Sequence, residues 1–100
     1  MKVLQIIDST NVGGAEVLAV NIANRLAFLG IESHLCVTRV EGDLSSMISD
    51  SVNYLFLKKK KTLDLNAFIR LRMYIKKQKI SVIHAHSTSY FLGSLSLIHI

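Results

Sequence analysis

Apolar positions along the chain fall into short continuous runs separated by longer segments with helical spacing. Four short runs have the length and composition of strands buried on both faces: residues 3–7, 31–38, 52–57 and 80–85. Helical spacing covers residues 15–29 and 62–78, a short helix is indicated at 44–48, and a last one begins near Tyr90. The pattern therefore predicts alternating strands and helices.

This alternation predicts an α/β fold with crossover connections and a mainly parallel sheet. We expect a Rossmann-like open sheet with strand order 3-2-1-4 and flanking helices, forming one small domain over residues 1–100. In that order the first and fourth strands are neighbours, and their outgoing loops leave toward opposite faces. The crevice between them is the place where open α/β sheets bind ligands.

A polar loop with paired glycines follows the first strand. Gly13 and Gly14 lie directly before a helix, where backbone N–H groups and the positive end of the helix dipole favour an anion. Without a Cβ, they would allow positive φ and a close ligand approach. The loop is neither Gly-x-Gly-x-x-Gly nor a phosphate-binding loop followed by lysine. An ordinary strand-to-helix turn is the alternative, and Glu16 lies in the first helical turn.

Two histidines stand near the end of the fourth strand. His84 and His86 are two residues apart, so they share a face of the strand. We interpret His84 as an interior or half-buried residue and expect His86, at the carboxyl end, to face the crevice. A metal site would need His34 and Cys36, which lie on another strand without ligand-like spacing, so no metal is predicted. The topology predicts that Gly13 and Gly14 meet His86 and Ser87 at one site.

Positive charge is concentrated in one segment. Nine of the twelve Lys and Arg residues lie between Lys58 and Lys79, where Asp64 is the only acid, and the whole chain carries a formal charge of +5. A solvated face is the common explanation, and contact with anionic lipid or a partner is the alternative. Nucleic acid is not predicted as a partner, because no aromatic residues are interleaved for base stacking.

The helix in this basic segment shows two apolar stripes. We expect it to begin near Thr62 as the N-cap, with Asp64 in its first turn. Phe68, Leu71 and Ile75 would form the main core stripe, with Ala67 and Tyr74 at its edge. Leu65, Ile69 and Met73 form a second stripe, for which packing against a neighbour is the first interpretation. In the first helix, the expected core stripe is Leu18, Ala19, Ile22, Leu26 and Leu29.

Composition also bears on location. The single cysteine, Cys36, cannot form an internal disulfide, and no apolar run approaches the roughly 20 residues of a membrane span. No signal-peptide pattern precedes the first strand. We expect the chain to be cytoplasmic, or peripheral at the inner face of a membrane if the basic segment contacts lipid.

Three segments together carry a family resemblance. They read Met-Lys-Val-Leu-Gln-Ile-Ile-Asp-Ser at residues 1–9, Asn-Val-Gly-Gly-Ala-Glu at 11–16 and Val-Ile-His-Ala-His-Ser at 82–87. In this order and spacing they resemble the N-terminal, acceptor-side domain of the retaining glycosyltransferases of family four, which have GT-B architecture. The resemblance implies transfer of a sugar, of hexosyl type, from a nucleotide-sugar donor to a glycan or lipid-linked acceptor in polysaccharide biosynthesis. It implies no metal or other cofactor.

The resemblance also assigns roles to residues of this chain. Gly13 and Gly14 match the family's glycine loop, whose backbone approaches the donor phosphate or the acceptor, and Glu16 matches a frequent motif position. His86 matches the histidine near the transferred sugar and is the catalytic candidate. Ser87 follows it, where it would touch the acceptor.

The chain departs from the family in length. The family's N-terminal domain runs well beyond 100 residues, and its C-terminal domain, which binds the donor and carries a Glu-x7-Glu type motif, is not seen here. We therefore expect a fragment that is inactive alone, or one half of a split enzyme with a separate donor-domain chain. The competing interpretation is a non-catalytic α/β interaction module that forms homodimers or docks on a partner subunit. A third, an NAD-binding dehydrogenase-like domain, is disfavoured by the absent third glycine.

Overall fold

The computed structural model describes residues 1–58 and 64–86. Its elements are β1 (Lys2–Ser9), α1 (Gly14–Phe28), β2 (Glu32–Val40), a short 3-10 helix (Asp43–Met47), β3 (Asn53–Phe56), α2 (Leu65–Gln78) and β4 (Val82–Ala85). Each strand and helix predicted within these residues is present, with its ends shifted by at most three residues. The helix expected from Tyr90 lies outside the described residues, as does Ser87.

The four strands form one parallel sheet in the order β3-β2-β1-β4, which confirms the predicted topology. The central strand β1 pairs with β2 from Lys2 opposite Glu32 onward and with β4 from Val3 opposite Val82. The strands on either side of β1 are thus β2 and β4, and β3 and β4 form the edges of the described sheet. The chain is a Rossmann-like α/β half-domain.

The two faces of the sheet are covered by different helices. Ile7, Leu35 and Val37 pack with α1, whereas Leu4, Ile6 and Cys36 pack with α2. These sets alternate along the strands, as the two-residue period of a pleated strand requires. A side chain's position in the strand therefore tells which helix it faces.

The buried stripe of α1 differs from the prediction. Its buried residues are Ala19, Val20 and Ala23, whereas Leu18 and Leu29 are 54% and 58% exposed. This helix is apolar nearly all round, so its periodicity does not define a single face. Small side chains face the sheet. The predicted end is confirmed, since α1 stops at Phe28 and Gly30 takes a left-handed φ of +84°.

The N-cap of α2 is Asp64, so the prediction of Thr62 is wrong. The Asp64 carboxylate accepts a hydrogen bond of 3.2 Å from the backbone N–H of Ala67. A carboxylate at this position satisfies one of the first N–H groups and complements the helix dipole. The helix consequently begins later than expected, at Leu65.

The two apolar stripes of α2 behave differently. Ala67, Leu71 and Ile75 are buried against the sheet and Phe68 is partly buried, which confirms the main stripe. The second stripe does not pack against the described part of the chain: Leu65 is 67%, Ile69 52% and Met73 65% exposed. The core interpretation of this stripe is therefore wrong for these residues, because α2 contacts the sheet with one face.

Candidate functional site

The glycine loop lies at the carboxyl edge of the sheet. β1 ends at Ser9, and α1 begins at Gly14 with Gly13 as its N-cap. No side chain of the described residues caps this helix end, so its first N–H groups are available to solvent or to a ligand. Glu16, in the first turn as predicted, accepts a hydrogen bond of 3.3 Å from the Ser9 hydroxyl.

The glycines matter in this loop because they lack a side chain, and neither of them takes the positive φ that a glycine allows. Gly13 is extended, with φ −166° and ψ 163°, and Gly14 is helical. A Cβ on Gly13 would lie 2.7 Å from the Oε1 atom of Glu16, which is too close. A Cβ on Gly14 would meet nothing within 4 Å. The space beside the start of α1 is therefore open.

Thr10 anchors the glycine loop, and sequence reasoning missed it. Its side chain is fully buried, and its hydroxyl accepts a 2.6 Å hydrogen bond from the N–H of Gly42 and lies 2.7 Å from the hydroxyl of Ser45. Its backbone N–H donates to the carbonyl of Val40, and its own carbonyl accepts from Leu44 N–H. The loop after β1 is thus tied to the segment after β2.

Gly42 allows this close approach. A Cβ there would lie 2.8 Å from the backbone nitrogen of Asn11, so any other residue would push the two loops apart. In the sequence, Gly42 stands out merely as the end of a strand. No local pattern indicates its partner, because the contact joins residues some thirty positions apart.

His86 follows β4 directly. Its backbone N–H donates to the carbonyl of Ile6 at 2.9 Å, which places it one position beyond the Ile6–Ala85 pair. Its ring Nε2 lies 2.8 Å from Oε1 of Gln5, and the residue is 8% exposed. Burial lowers the pKa of His86, with a smaller contribution from neighbouring His84, so the ring is neutral at pH 7.

His84 shares the face of His86, as expected from their spacing, and their ring centroids are 4.0 Å apart. The expectation that His84 is interior or half-buried is wrong, because its side chain is exposed. The reason is coverage: α1 packs over β1 and β2, and β4 lies at the other side of the described sheet.

The predicted site residues that the structure describes lie on one face of the sheet. Gln5 and Ile7 alternate onto the α1 face, and the bond from His86 to Gln5 places the histidine there too. Gly13, Gly14 and Glu16 belong to the loop and first turn of α1 on the same face. The carboxyl edge therefore gathers a free helix start and a buried histidine, from neighbouring strands β1 and β4.

A second polar cluster, centred on a buried histidine, lies toward the amino end of the sheet, on the α2 face. His34 is 1% exposed, and both ring nitrogens are bonded: Nδ1 is 2.5 Å from the Tyr74 hydroxyl, and Nε2 is 2.6 Å from the Glu32 carboxylate. The bond from His34 lowers the pKa of Glu32, and burial raises the pKa of Tyr74 to about 12. With every ring nitrogen occupied, this cluster stabilises the fold.

The described residues contain no group of three or more His, Cys, Asp or Glu side chains that could hold a metal ion. Cys36 is fully buried, and burial raises the pKa of its thiol well above the ordinary value, so it stays protonated. Neither α1 nor α2 is long and apolar enough to cross a membrane. At the carboxyl edge, the described residues offer N–H groups, an imidazole and the Glu16 carboxylate.

A parallel α/β sheet with a free helix start at its carboxyl edge defines the class of Rossmann-like ligand-binding domains. The family model of glycosyltransferase family 4 matches residues 12–99, and the chain belongs to this family. The membership confirms the resemblance and gives the chain a role related to glycosyl transfer, with binding of a sugar donor and an acceptor in general. No curated protein and no solved structure gave a significant match.

Proposed function

We propose that the chain is the acceptor-side portion of a retaining GT-B glycosyltransferase. The full reaction moves a hexosyl group from a nucleotide-sugar donor to a glycan or lipid-linked acceptor in polysaccharide biosynthesis. The observation that carries the proposal is the uncapped start of α1 beside the open space at Gly14, on the same edge and face as the buried His86. Membership of family 4 supports the reaction class.

The start of α1 would stabilise negative charge. In sugar transfer the bond from C1 to the diphosphate breaks, and charge grows on the leaving oxygens. N–H groups fixed at a helix start interact with that charge without reorganising. Gly14 keeps side-chain bulk away from the phosphate, so the N–H groups and the dipole act at short range. No metal or other cofactor enters this proposal.

The side chains would orient the sugar and the acceptor. His86 is the proposed catalytic residue, because its neutral ring can hydrogen-bond to the transferred sugar near its reacting carbon. Glu16 is held by Ser9 beside the loop and would bind a sugar hydroxyl. We assign Ser87, which lies outside the described residues, to acceptor contact. Turnover would also require the donor-binding domain implied by the family, as part of the same polypeptide or as a separate chain.

The test is binding by the chain. Nucleoside diphosphates and nucleotide sugars with uridine, guanosine or adenosine bases are titrated into 15N-labelled protein, and amide shifts are followed. The largest shifts are expected at Gly14, Ala15 and Glu16. The variant Gly14→Asp places a carboxylate in the open space, so we expect at least about tenfold weaker binding, which corresponds to about 1.4 kcal/mol.

The matched control is Leu18→Asp, which adds the same charge on an exposed position one turn further along α1. It should bind as the unmodified chain does. Equal loss in both variants, or shifts confined to α2, would contradict a donor site at the glycine loop.

The outer face of α2 supports a second proposal, peripheral contact with an anionic membrane. Leu65, Ile69 and Met73 form an exposed apolar stripe, and the cations Arg72 and Lys76 are exposed beside it. An open groove of about 310 Å³ adjoins it, lined by Leu55, Arg70, Met73, Tyr74 and Lys77. Apolar side chains bordered by cations suit the boundary between anionic headgroups and acyl chains. The chain would then act at the cytoplasmic face of a membrane, where lipid-linked acceptors occur.

Vesicle flotation tests this contact. The chain should float with vesicles that contain anionic lipid and remain free with purely zwitterionic ones. Serine at Leu65, Ile69 and Met73 should abolish flotation, whereas serine at the equally exposed Val12, Phe28 and Leu29 should not. If the α2 variant loses self-association in sedimentation instead, the face mediates contact between copies of the chain, and the interaction-module alternative is favoured.

A further inference from the structure

Gln5 is an unusual residue for its place in the fold. It lies in the middle of the central strand, is 1% exposed, and its neighbours Leu4 and Ile6 are fully buried. Burying an amide in such surroundings is unfavourable unless the amide is hydrogen-bonded. Its carbonyl Oε1 lies 2.8 Å from Nε2 of His86.

The sheet register sets up this contact. Gln5 lies directly opposite His84, and His86 is the next residue on the same face of β4. The Gln5 side chain therefore reaches diagonally toward the carboxyl edge to meet the imidazole. The ring of His84 lies on His86 with its centroid 4.0 Å away. Two contacts thus hold the His86 ring, and one of them is a directed hydrogen bond.

The bond determines which ring nitrogen carries the hydrogen. A carbonyl oxygen accepts and cannot donate, so Nε2 must be the N–H of the neutral imidazole. Nδ1 then carries a lone pair. Within residues 1–58 and 64–86, Nδ1 of His86 has no hydrogen-bond partner.

We propose that Gln5 is a positioning residue that holds His86 in the Nε2–H tautomer and thereby presents Nδ1 as a hydrogen-bond acceptor to a ligand. The proposal rests on the proposed function for its ligand. A nitrogen that accepts pairs with a hydroxyl of a sugar and not with the oxygens of a phosphate, which have no hydrogen to donate at neutral pH. His86 would thus bind the sugar of the substrate, and the start of α1 would bind its diphosphate.

The tautomer is measured by 15N NMR of the imidazole nitrogens in the ligand-free chain at neutral pH. The His86 signals are assigned by their loss in His86→Asn. We expect a protonated, pyrrole-like Nε2 and an unprotonated, pyridine-like Nδ1. A protonated Nδ1 would overturn the proposal, because the Gln5 amide would then donate to Nε2. This measurement needs no variant of Gln5.

Two substitutions of Gln5 sharpen the result. Gln5→Leu has similar size and no acceptor, so both ring signals should move toward the average of the two tautomers. Gln5→Glu keeps an acceptor at the same distance and should retain the protonated Nε2, and its carboxylate should also raise the pKa of the ring. The control Ser33→Ala removes a different buried hydrogen bond, from Ser33 to the Ala23 carbonyl, and should leave the His86 signals unchanged. Unchanged signals in Gln5→Leu would contradict the proposal.

Ligand binding separates this inference from the proposed function. With a nucleotide sugar that binds the unmodified chain, Gln5→Leu should weaken binding about tenfold, while Gln5→Glu should recover most of it at a pH high enough to keep the ring neutral. The free nucleoside diphosphate should bind both variants equally, since it has no transferred sugar. If no nucleotide sugar binds any variant, the donor contact proposed at the glycine loop fails, and the tautomer measurement still decides the role of Gln5.

Discussion

The two buried histidines of the described chain differ in how completely their rings are hydrogen-bonded. His34 lies in β2 on the α2 face, and Glu32 and Tyr74 occupy both of its nitrogens. His86 follows β4 on the α1 face, and Gln5 occupies one nitrogen. Both nitrogens of the His34 ring are hydrogen-bonded within the protein, so this histidine stabilises the fold. Within the described residues, the His86 ring keeps one unbonded acceptor nitrogen, at the edge where such sheets bind ligands.

The same contrast holds for the helix ends that accompany them. α2, over His34, begins with a capping carboxylate from Asp64. α1, on the same face of the sheet as His86, begins at Gly14 after the N-cap Gly13, with no side-chain cap from the described residues. On the α2 face, the histidine ring and the start of the helix are thus both hydrogen-bonded by side chains. On the α1 face, within the described residues, one ring nitrogen and the start of the helix have no side-chain partner. Both observations point to the carboxyl edge on the α1 face.

The largest effect on stability is expected from His34→Ala. It removes both hydrogen bonds of a buried ring and leaves a cavity, so the free energy of unfolding should fall by about 3–4 kcal/mol. His86→Ala removes one bond and should cost about 1–2 kcal/mol. Urea unfolding at pH 7 compares them. Equal losses would break the distinction between the two histidines.

Thr10→Val should have the next largest effect. Valine keeps the shape and removes the hydroxyl, which leaves the buried N–H of Gly42 without its acceptor. We expect a loss of about 1–3 kcal/mol and faster amide exchange in residues 10–13. Thr38→Val is the control, because Thr38 is equally buried and its hydroxyl makes a single bond, to Asp8. A larger loss in the control would contradict the anchoring role of Thr10.

Alanine at the two glycines should separate stability from binding. At Gly13 the new Cβ displaces the Glu16 side chain from Ser9, at a cost of about 0.5–1 kcal/mol. At Gly14 it meets nothing, so stability should be unchanged or rise by up to about 1 kcal/mol, because alanine favours the helix. Binding of nucleotide sugars should nevertheless weaken in Gly14→Ala. Unfolding curves and titrations of both variants check this, and undiminished binding would argue against close approach at Gly14.

The smallest effects are expected in the pH dependence of stability. The pKa of His86 is lowered from 6.5 by burial, so its contribution is complete above pH 6.5 and is lost as the pH falls through the folded value. The pKa of Glu32 is lowered from 4.5 by its bond to His34, so its contribution is lost only in more acid solution. Urea midpoints from pH 8 to pH 3 should show both losses. His86→Asn should remove the upper one and Glu32→Gln the lower one, and an unchanged profile in either variant would contradict its assignment.

Much of the fold could be predicted from local patterns. Short apolar runs and helical segments alternate along the chain. Few topologies are allowed for such an alternation, so the order of strands in the sheet could be inferred. The buried face of α1 and the start of α2 were harder to predict. The α1 sequence is apolar on most sides, so which of Leu18 or Ala23 faces the sheet depends on how closely the helix packs. The start of α2 was misplaced because Thr62 and Asp64 are both good N-caps.

The position of the candidate site in the fold could be predicted from the sequence, whereas the hydrogen bonds that hold its residues could not. Gly13, Gly14 and His86 are identifiable from motif and topology, and the structure places the described ones on one face and edge. Thr10 and Gln5 carry no local signal, since threonine and glutamine are ordinary residues in loops and strands. Their importance comes from partners 32 and 81 positions away.

The amino-acid sequence by itself determined the order of strands and helices, the family and the position of the glycine loop, because these depend on patterns within short segments. The tertiary structure alone decided that Thr10 is buried, that His84 is exposed and that Nδ1 of His86 has no hydrogen-bond partner within the described residues. Burial and hydrogen bonding depend on which distant residues the sheet brings together. The pattern of residues along the chain does not give those distances, because they are set when the strands pair in register.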